Sequence, residues 1–566
     1  MRWKIKQPSE DHVASLKKEF NTSEIIAKVL ANRGIESLKS SHNFFNPSND
    51  QLHDPFMMKN MDIAVDRISK NIQNQKPILI FGDYDVDGTT GASLLYLGLK
   101  DLNAIVEYYI PHREKEGYGL SSGGIDYAQS VGADLLITCD CGINAFQPVD
   151  YANEHGVDII ITDHHIPDKK LPNAYAVLNP KQKGCEYPFK GLCGCGVAFK
   201  LISALSEKSG IGQNVGLNYL DLVALATSAD MVPILDENRV LVHGGLDQLE
   251  ESKSPGIHQL LVQTGLVGES LNVGKLVFGL APKINAAGRM GDANRTVELL
   301  TTSDKTRAEE LASILVRENK RRQLIQEDIV NDAIRLVHSQ VDLENNKVVI
   351  IGAKGWHPGV VGIVASRIKD EFSRPAIVIA FDKEGIGKGS ARSIPNLDLY
   401  EALSYAAKFL EGYGGHPMAA GLTVREDKFE NFKSLFLRNV NKILTNDDLI
   451  PAISIDGEMA LTDINSRFMR FLEKLGPFGP GNMRPKFVSR NLSISGQPRL
   501  MGNGEHIRFI VSQNGRNYPA VGFKLSSHYE DLIRGFPVDI AYVVEVNQWQ
   551  GQSNIQLNVR DIQLSD

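Results

Sequence analysis

No run of about 20 consecutive apolar residues occurs in the 566-residue sequence, so a membrane-spanning helix is not expected. The opening MRWKIKQPSE lacks the apolar core of a secretion signal. Cysteine is scarce and unevenly placed, at Cys139, Cys141, Cys185, Cys193 and Cys195. An odd, clustered set makes a poor disulfide framework and fits a reducing compartment, so the expected location is cytoplasmic. Cys185, Cys193 and Cys195 offer three thiols, but no CxxC pair and no obvious fourth ligand. Buried thiols are expected there rather than structural zinc. A basic excess is also missing: 61 Lys and Arg face 68 Asp and Glu, for a net charge of -7. That counts against a chain basic all over, yet a basic groove can sit on an acidic body. Internal repeats and low-complexity tracts are absent. At roughly 100–200 residues per domain the length implies about three to five domains, each large enough to fold without disulfides.

What is present is a strict alternation of strands and helices. KPILIF (76–81), ADLLIT (133–138) and VDIIIT (157–162) read as buried strands, with helices expected at 89–101 and near 144–155. Continuous apolar strands separated by helices predict a parallel sheet covered on both faces. Residues 304–337 hold no Gly or Pro, and Ser303 and Asp304 are good N-caps. Apolar residues recur there at helical spacing from Ala308 to Leu336, with a break at Arg317 to Arg322. This predicts one long helix between two lobes. KVVIIG (347–352), a helix near 360–371 and PAIVIAF (375–381) open a second α/β region. From about residue 450 five strands are expected, at 485–495, 506–512, 517–524, 538–546 and 553–564, with Asn514-Gly515 as a hairpin turn. Such a set suits a small barrel of the OB type. Residues 1–50 read as an extension packed on the first lobe.

Chemistry concentrates beyond the strand ends. Asp83, Asp85 and Asp87 alternate directly after the first strand, and three like charges so close repel unless cations hold them. Dense oxygen ligands suit Mg²⁺ or Mn²⁺. A calcium loop of the D-x-D-x-D-G kind needs a glutamate six residues after the glycine, but Leu94 stands there. Asp140 follows the second strand, and Asp163-His164-His165 follows the third. In open α/β sheets that edge is where ligands bind. Asp230, ending the apolar run LVALATSADMVP, is a fourth candidate. Carboxylates with one or two imidazoles make a two-metal hydrolase site, in which both ions neutralise charge building on the phosphoryl oxygens and one activates water. No convincing catalytic triad or Walker loop competes.

DYDVDG followed by a literal Asp163-His164-His165 resembles the signature of the DHH phosphoesterase family. IPHREKEGYGLS (110–121), LAPKINAAGRMGDA (280–293), GWHPGVVGIVASR (355–367), GSARS (389–393), GGHPMAAG (414–421) and LGPFGPGN (475–482) are similar, in order, to the motifs of its single-stranded-DNA exonuclease branch. The resemblance runs from about residue 45 to the end. It implies an extension (1–45), a DHH domain (46–303), a connector helix (304–340), a DHHA1 domain (341–445) and an OB-fold (446–566). It also implies that Asp83, Asp85, Asp87, Asp140, His164 and Asp230 hold metals or support those that do. His165 would contact the scissile phosphate or a metal. Which of the three clustered aspartates bridges both ions is left open. Lys283 stands where the family pattern has arginine, and either charge can hold a phosphate. Cys193 and Cys195 stand where the family carries small apolar residues, and their role is open.

Arg289 lies among small residues, and Ser390, Arg392 and His416 read as lying in glycine-flanked turns. Glycine lets backbone N–H groups approach an anion, and arginine grips phosphate through two donors. The resemblance implies that these four anchor a 5′-terminal phosphate, which makes cleavage exonucleolytic, 5′ to 3′, with release of mononucleotides, in DNA repair and recombination. Tyr118, Trp356, Phe509, Phe523 and Trp549 are candidates for base stacking, and Lys320, Arg321 and Arg322 for backbone contact. Single-strand binding protein and a RecQ-type helicase are implied as partners by resemblance alone. Two rival readings remain. Other DHH enzymes, such as nanoRNases, cyclic-dinucleotide phosphodiesterases or pyrophosphatases, would share the metal site but not the C-terminal β domain. A non-catalytic DNA-binding protein would be expected to lack the aspartates.

Overall fold

The computed structural model describes residues 1–113, 115–549 and 552–565. The first lobe is built on a five-stranded, all-parallel sheet in the order Val106–Tyr109, Ile78–Gly82, Leu135–Cys139, Asp158–Thr162, Ala176–Leu178. The strands ILIFG and LLITC are buried at every position, as expected when helices cover both faces. One face packs under helices Val86–Asp101, Gly194–Ser209 and Leu220–Ala229. The other packs under Ser122–Ser130 and Phe146–Glu154. The order of the sheet reverses between Ile78–Gly82 and Leu135–Cys139, so the crossovers on either side leave in opposite directions. A crevice opens there beyond the carboxyl ends of the two strands. Asp83 and Asp140 are the first residues past those ends.

The connector is a single helix, Lys305–Gln340. The Asp304 side chain caps it by accepting from the Thr306 and Arg307 N–H groups. Its first half packs Ala308, Leu311, Ala312 and Leu315 into the first lobe. Its second half packs Ile329, Ala333 and Val337 into the second. The break in the apolar stripe falls between those halves, where Asn319 and Arg322 are buried.

The second lobe has a mixed sheet ordered Leu410–His416, Ala419–Arg425, Ile386–Arg392, Ala376–Phe381, Val349–Lys354, in which only the last two are parallel to each other. Ser390, Arg392 and His416 therefore lie on strands and not in turns, which corrects the expectation. Glycine is there for a different reason. A Cβ at Gly412, Gly414 or Gly421 would meet nothing within 4 Å, so the glycines leave open space on the sheet face that also carries Ser390 and Arg392.

The C-terminal unit is a closed five-stranded barrel, Phe487–Ile494, Val538–Trp549, Gln552–Leu564, Arg516–Gly522 and His506–Gln513, sealed by pairing of the first with the last. Asn514 and Gly515 turn the hairpin with positive φ. The N-terminal extension packs mainly on this barrel, and meets the first lobe, where its packing was expected, chiefly near its end, where Phe44 lies against Arg239. Strand Arg2–Ile5 pairs in parallel with Ala452–Ile455. Val13, Leu16, Ile26 and Leu30 join the barrel core with Phe468 and Phe487. The extension's apolar helix faces find their match in the barrel unit's own exposed core, some 430 residues away in the chain.

Candidate metal centre

Each candidate ligand is delivered by a specific local structure. Asp85 is the N-cap of helix Val86–Asp101, its carboxylate accepting from the Gly88 N–H at 3.0 Å. Gly88 must be glycine, because a Cβ there would stand 2.5 Å from the Asp83 carbonyl oxygen. Asp87 is gripped from across the site: Gly194 and Cys195, at the start of helix Gly194–Ser209, donate their N–H groups at 2.6 and 2.8 Å. A helix N-terminus is a natural seat for a carboxylate. Asp140 has φ of +60°, the left-handed region that a non-glycine residue enters at a cost. A Cβ at Gly194 would lie 2.6 Å from the Asp140 Cβ, so these two loops meet closely. Asp230 ends helix Leu220–Ala229 as its C-cap.

These side chains converge. His164 Nε2 lies 3.1 Å from Asp140 Oδ1, 3.6 Å from Asp230 Oδ2 and 3.8 Å from Asp87 Oδ2. Three overlapping groups have ligand atoms all within 4.8 Å: Asp83, Asp85 and Asp140; Asp140, His164 and His165; and Asp87, His164 and Asp230. Every one of the seven residues expected from the sequence is in this cluster. None of these groups contains a cysteine. Cys139, Cys141, Cys193 and Cys195 are buried, and burial pushes their thiols up, so they pack beside the site as neutral groups.

The electrostatics suit cations. Burial, then the charge of Asp85, pushes Asp83 well above the usual carboxylate range. Burial and Asp87 do the same to Asp140, and Asp230 is pushed up to about 9 by burial and by Asp87. Asp83 Oδ1, Asp140 Oδ1, Asp230 Oδ2 and both ring nitrogens of His164 are buried without a hydrogen-bond partner. Burial holds His164 down to about 4, leaving a neutral imidazole of the kind that coordinates metals. Oxygen-rich donors with one neutral imidazole and orphaned inward atoms fit hard divalent ions such as Mn²⁺ or Mg²⁺.

Asp163, which the sequence did not mark as a ligand, organises the motif. Its Oδ1 accepts from the His164 and His165 N–H groups and sits 2.7 Å from His165 Nδ1, while Oδ2 accepts from the Ile143 N–H. Burial opposes its charge, but these bonds outweigh burial and hold Asp163 below its ordinary value. They raise His165 in turn, against its own desolvation. His165 is thus a half-buried imidazole whose orientation is set by Asp163.

A second concentration of charge adjoins the first. A cavity of about 520 Å³ is lined by Arg113, Arg289, Ser390 and Arg392 over the glycine-rich sheet face. Gly288 lies so close to the Asp83–Asp85 loop that a Cβ would meet the Tyr84 carbonyl oxygen at 2.4 Å, which brings Arg289 to the cleft. Arg289 donates to the Gly359 carbonyl oxygen of the second lobe at 3.0 Å. Burial and repulsion from Arg113 and Arg322 pull Arg289 down to about 10. Arg392 donates to Ser390 Oγ at 2.8 Å, and the first turn of helix Val361–Phe372 packs against both, since a Cβ at Gly362 would stand 3.1 Å from the Arg392 guanidinium and 3.2 Å from Ser390 Oγ. His416 is exposed and not in the cavity lining, though register places it with Ala419 and Arg392 in one cross-strand row. Arg113 went unmarked in the sequence. It stands on the Tyr84 ring at 4.9 Å, between the two charge centres.

The expected stacking residues divide. Trp356 and Phe509 belong to the cores, and the Trp549 side chain lies outside the described residues. Tyr118 and Phe523 are exposed, and the Tyr118 hydroxyl reaches the Asp140 carbonyl oxygen at 3.2 Å. Of Lys320, Arg321 and Arg322, only Arg322 is buried.

A parallel α/β lobe with this ligand set, joined by one helix to a second α/β lobe, defines a metal-dependent phosphoesterase of the DHH class. Comparison with known families agrees: the DHH family N-terminal domain matches residues 77–227, the DHHA1 domain 345–442 and the RecJ OB domain 455–561. The single-stranded-DNA-specific exonuclease RecJ of Bacillus subtilis (strain 168) is 38% identical over 568 residues, covering 100% of this chain and 71% of that protein. The protein of the same name from Dickeya dadantii (strain 3937) is 34% identical, covering 95% of this chain and 96% of its own. RecJ from Thermus thermophilus, solved in complex with Mn²⁺, superposes with a TM-score of 0.84 at 29% identity, covering 100% of this chain and 80% of that one. The same organism's RecJ in complex with Mg²⁺ gives a TM-score of 0.79. The chain belongs to the RecJ family.

Proposed function

We propose that this protein is a two-metal exonuclease that digests single-stranded DNA from its 5′ end and releases 5′-mononucleotides, in DNA repair and recombination. The observation that carries the reading is the pairing of two opposite charge centres across one cleft, an anionic cluster with orphaned ligand atoms and a cationic cavity beside it. Asp83, Asp85 and Asp140 would hold one ion, and Asp87, His164 and Asp230 the other. Asp140 and His164 each belong to two of the ligand groups, so the two sets adjoin through them. Divalent ions bound there would supply an activated water and neutralise charge on the phosphoryl oxygens.

The protein's own groups do the rest. Asp163 orients His165 so that its free ring edge would meet a non-bridging oxygen of the scissile phosphate. Arg289, Arg392, Ser390 and the N-terminus of helix Val361–Phe372 hold the terminal phosphate, with Arg113 between the two centres and His416 at the rim. A clamp at a fixed distance from the ions counts nucleotides from the end, so each cut leaves a new 5′-phosphate for the next. Support for a long strand over a dinucleotide comes from the barrel, which offers an extended surface beyond the two catalytic lobes. The aromatic candidates left exposed, Tyr118 and Phe523, suit stacking along that path.

The test uses single-stranded DNA labelled at its 3′ end, with and without a 5′-phosphate. The expected result is Mn²⁺- or Mg²⁺-dependent shortening from the 5′ side, abolished by EDTA and in Asp85→Ala and His164→Ala. Intact DNA alongside hydrolysis of dinucleotides or pyrophosphate would keep the fold and metals but remove this assignment.

A further inference from the structure

Behind the metal cluster, the turn that leads into the barrel is docked on the segment that leaves Asp230. Ile234, a few residues past Asp230, donates its N–H to the Pro480 carbonyl oxygen at 2.7 Å. Gly479 and Gly481 press on the same segment. A Cβ at Gly479 would stand 2.5 Å from Ile234 Cγ1, and one at Gly481 3.0 Å from the Leu235 side chain.

Arg239 closes this joint from helix Asp236–Glu251. It is 3% exposed, its guanidinium lies 3.9 Å from the centre of the Phe44 ring, and its hydrogen-bond partners are carbonyl oxygens. It donates to Phe44 at 2.8 Å and Leu475 at 3.1 Å, and reaches Lys474, Gly476 and Pro477 as well. Lys474 ends the helix Ser466–Lys474 and Leu475 is its C-cap. The last carbonyls of a helix lack partners within it and favour a cation. A first-lobe arginine thus caps a helix of the barrel unit. Its neighbour Asn238, fully buried, donates to the carbonyl oxygens of Pro233 at 2.9 Å and Gly191 at 2.7 Å. Gly191 leads directly into Gly194 and Cys195, the donors that grip Asp87.

We propose that docking of the barrel unit sets the geometry of the metal site, with Arg239 as a positioning residue that acts through Asp230 and Asp87. The inference rests on the reading of those two aspartates as ligands. Asn238 and Arg239 tie the barrel's turn, the Asp230 segment and the Asp87 loop into one body. Loosening the barrel therefore weakens ion binding in the first lobe, and by linkage ion binding tightens the docking of the barrel.

Mn²⁺ titration of the full chain by calorimetry tests this with Arg239→Met, Arg239→Lys and Asp230→Ala. Outer contacts of metal sites set affinity by about 10- to 100-fold, and a loss on that scale is expected in Arg239→Met. Excess Mn²⁺ should restore its kcat, with KM for single-stranded DNA little changed. Arg239→Lys, which keeps a charge at the helix terminus, should recover part of the affinity. Unchanged Mn²⁺ affinity in folded Arg239→Met, with a raised KM, would overturn the inference, because the barrel would then only hold the strand. If Asp230→Ala also left Mn²⁺ binding unchanged, the ligand reading itself would fall. Gly479→Ala probes the same joint from the barrel side should Arg239→Met not fold. It should lose Mn²⁺ affinity too, and unchanged affinity in it counts against the inference equally.

Discussion

Replacing Arg392 by methionine keeps the stem of the side chain and removes the donors that face the clamp. In the parent, one guanidinium nitrogen of Arg392 bonds both Ser390 Oγ and the Ala391 carbonyl oxygen, each at 2.8 Å. That fixes the plane of the group and leaves its other edge to the cavity. A hydrogen bond to a charged partner contributes about 1.5–3 kcal/mol. At about 1.4 kcal/mol per factor of ten, Arg392→Met should lower kcat/KM on a 5′-phosphorylated strand by roughly 10- to 150-fold. The lower end is expected, because Arg289 and Arg113 line the same cavity and retain part of the attraction. A strand ending in a 5′-hydroxyl has no terminal charge to lose, so its rate should change little. The assay compares single-turnover rates for the two substrates at saturating Mn²⁺. An equal loss on both would refute the clamp and make Arg392 a structural residue; no loss on either would refute it as well.

Four further outcomes are expected. Gly194→Ala drives a Cβ to within 2.6 Å of the Asp140 Cβ and disturbs the N–H pair on Asp87, so both Mn²⁺ affinity and activity should fall sharply while the circular dichroism spectrum stays native. Asp230, pushed up to about 9 from an unfolded value near 3.9, favours folding fully below about pH 4 and loses that contribution as the pH rises toward about 9. The melting temperature of EDTA-treated protein should thus fall across that window, and the gain on adding Mn²⁺ should grow with pH. Mn²⁺ binding at about pH 7 should release protons, read as a dependence of the calorimetric heat on buffer ionisation enthalpy; His164, held near 4, is already neutral there. Deleting residues 1–31 strips Val13, Leu16, Ile26 and Leu30 from the barrel core, so limited proteolysis should attack the C-terminal unit first and leave the two α/β lobes intact.

The parts of the fold that could be read from the sequence are those whose signals are local. ILIFG, LLITC and DIIIT are short continuous apolar runs, and each became a central parallel strand. The edge strands Val106–Tyr109 and Ala176–Leu178 escaped notice because they are short, and VEYY is only partly buried. The strands carrying Ser390 and His416 were hidden by their glycines, which usually signal turns and here lie within the strands. The metal cluster was legible because strand ends in a parallel sheet share one edge, so three separate motifs had to meet. Arg113 was not, since its meaning depends on Arg289 and Arg392, which lie far along the chain. Nor could periodicity reveal that the N-terminal helices belong to the barrel, or that Arg239 caps a helix more than two hundred residues away.

The central claim is that Asp83, Asp85, Asp87, Asp140, His164 and Asp230 hold two ions. The most direct measurement is anomalous diffraction from crystals of the protein soaked in Mn²⁺. The account predicts two peaks about 3.5–4 Å apart, one within reach of His164, and loss of a peak in Asp230→Ala. A single peak, or none at this cluster, would contradict it.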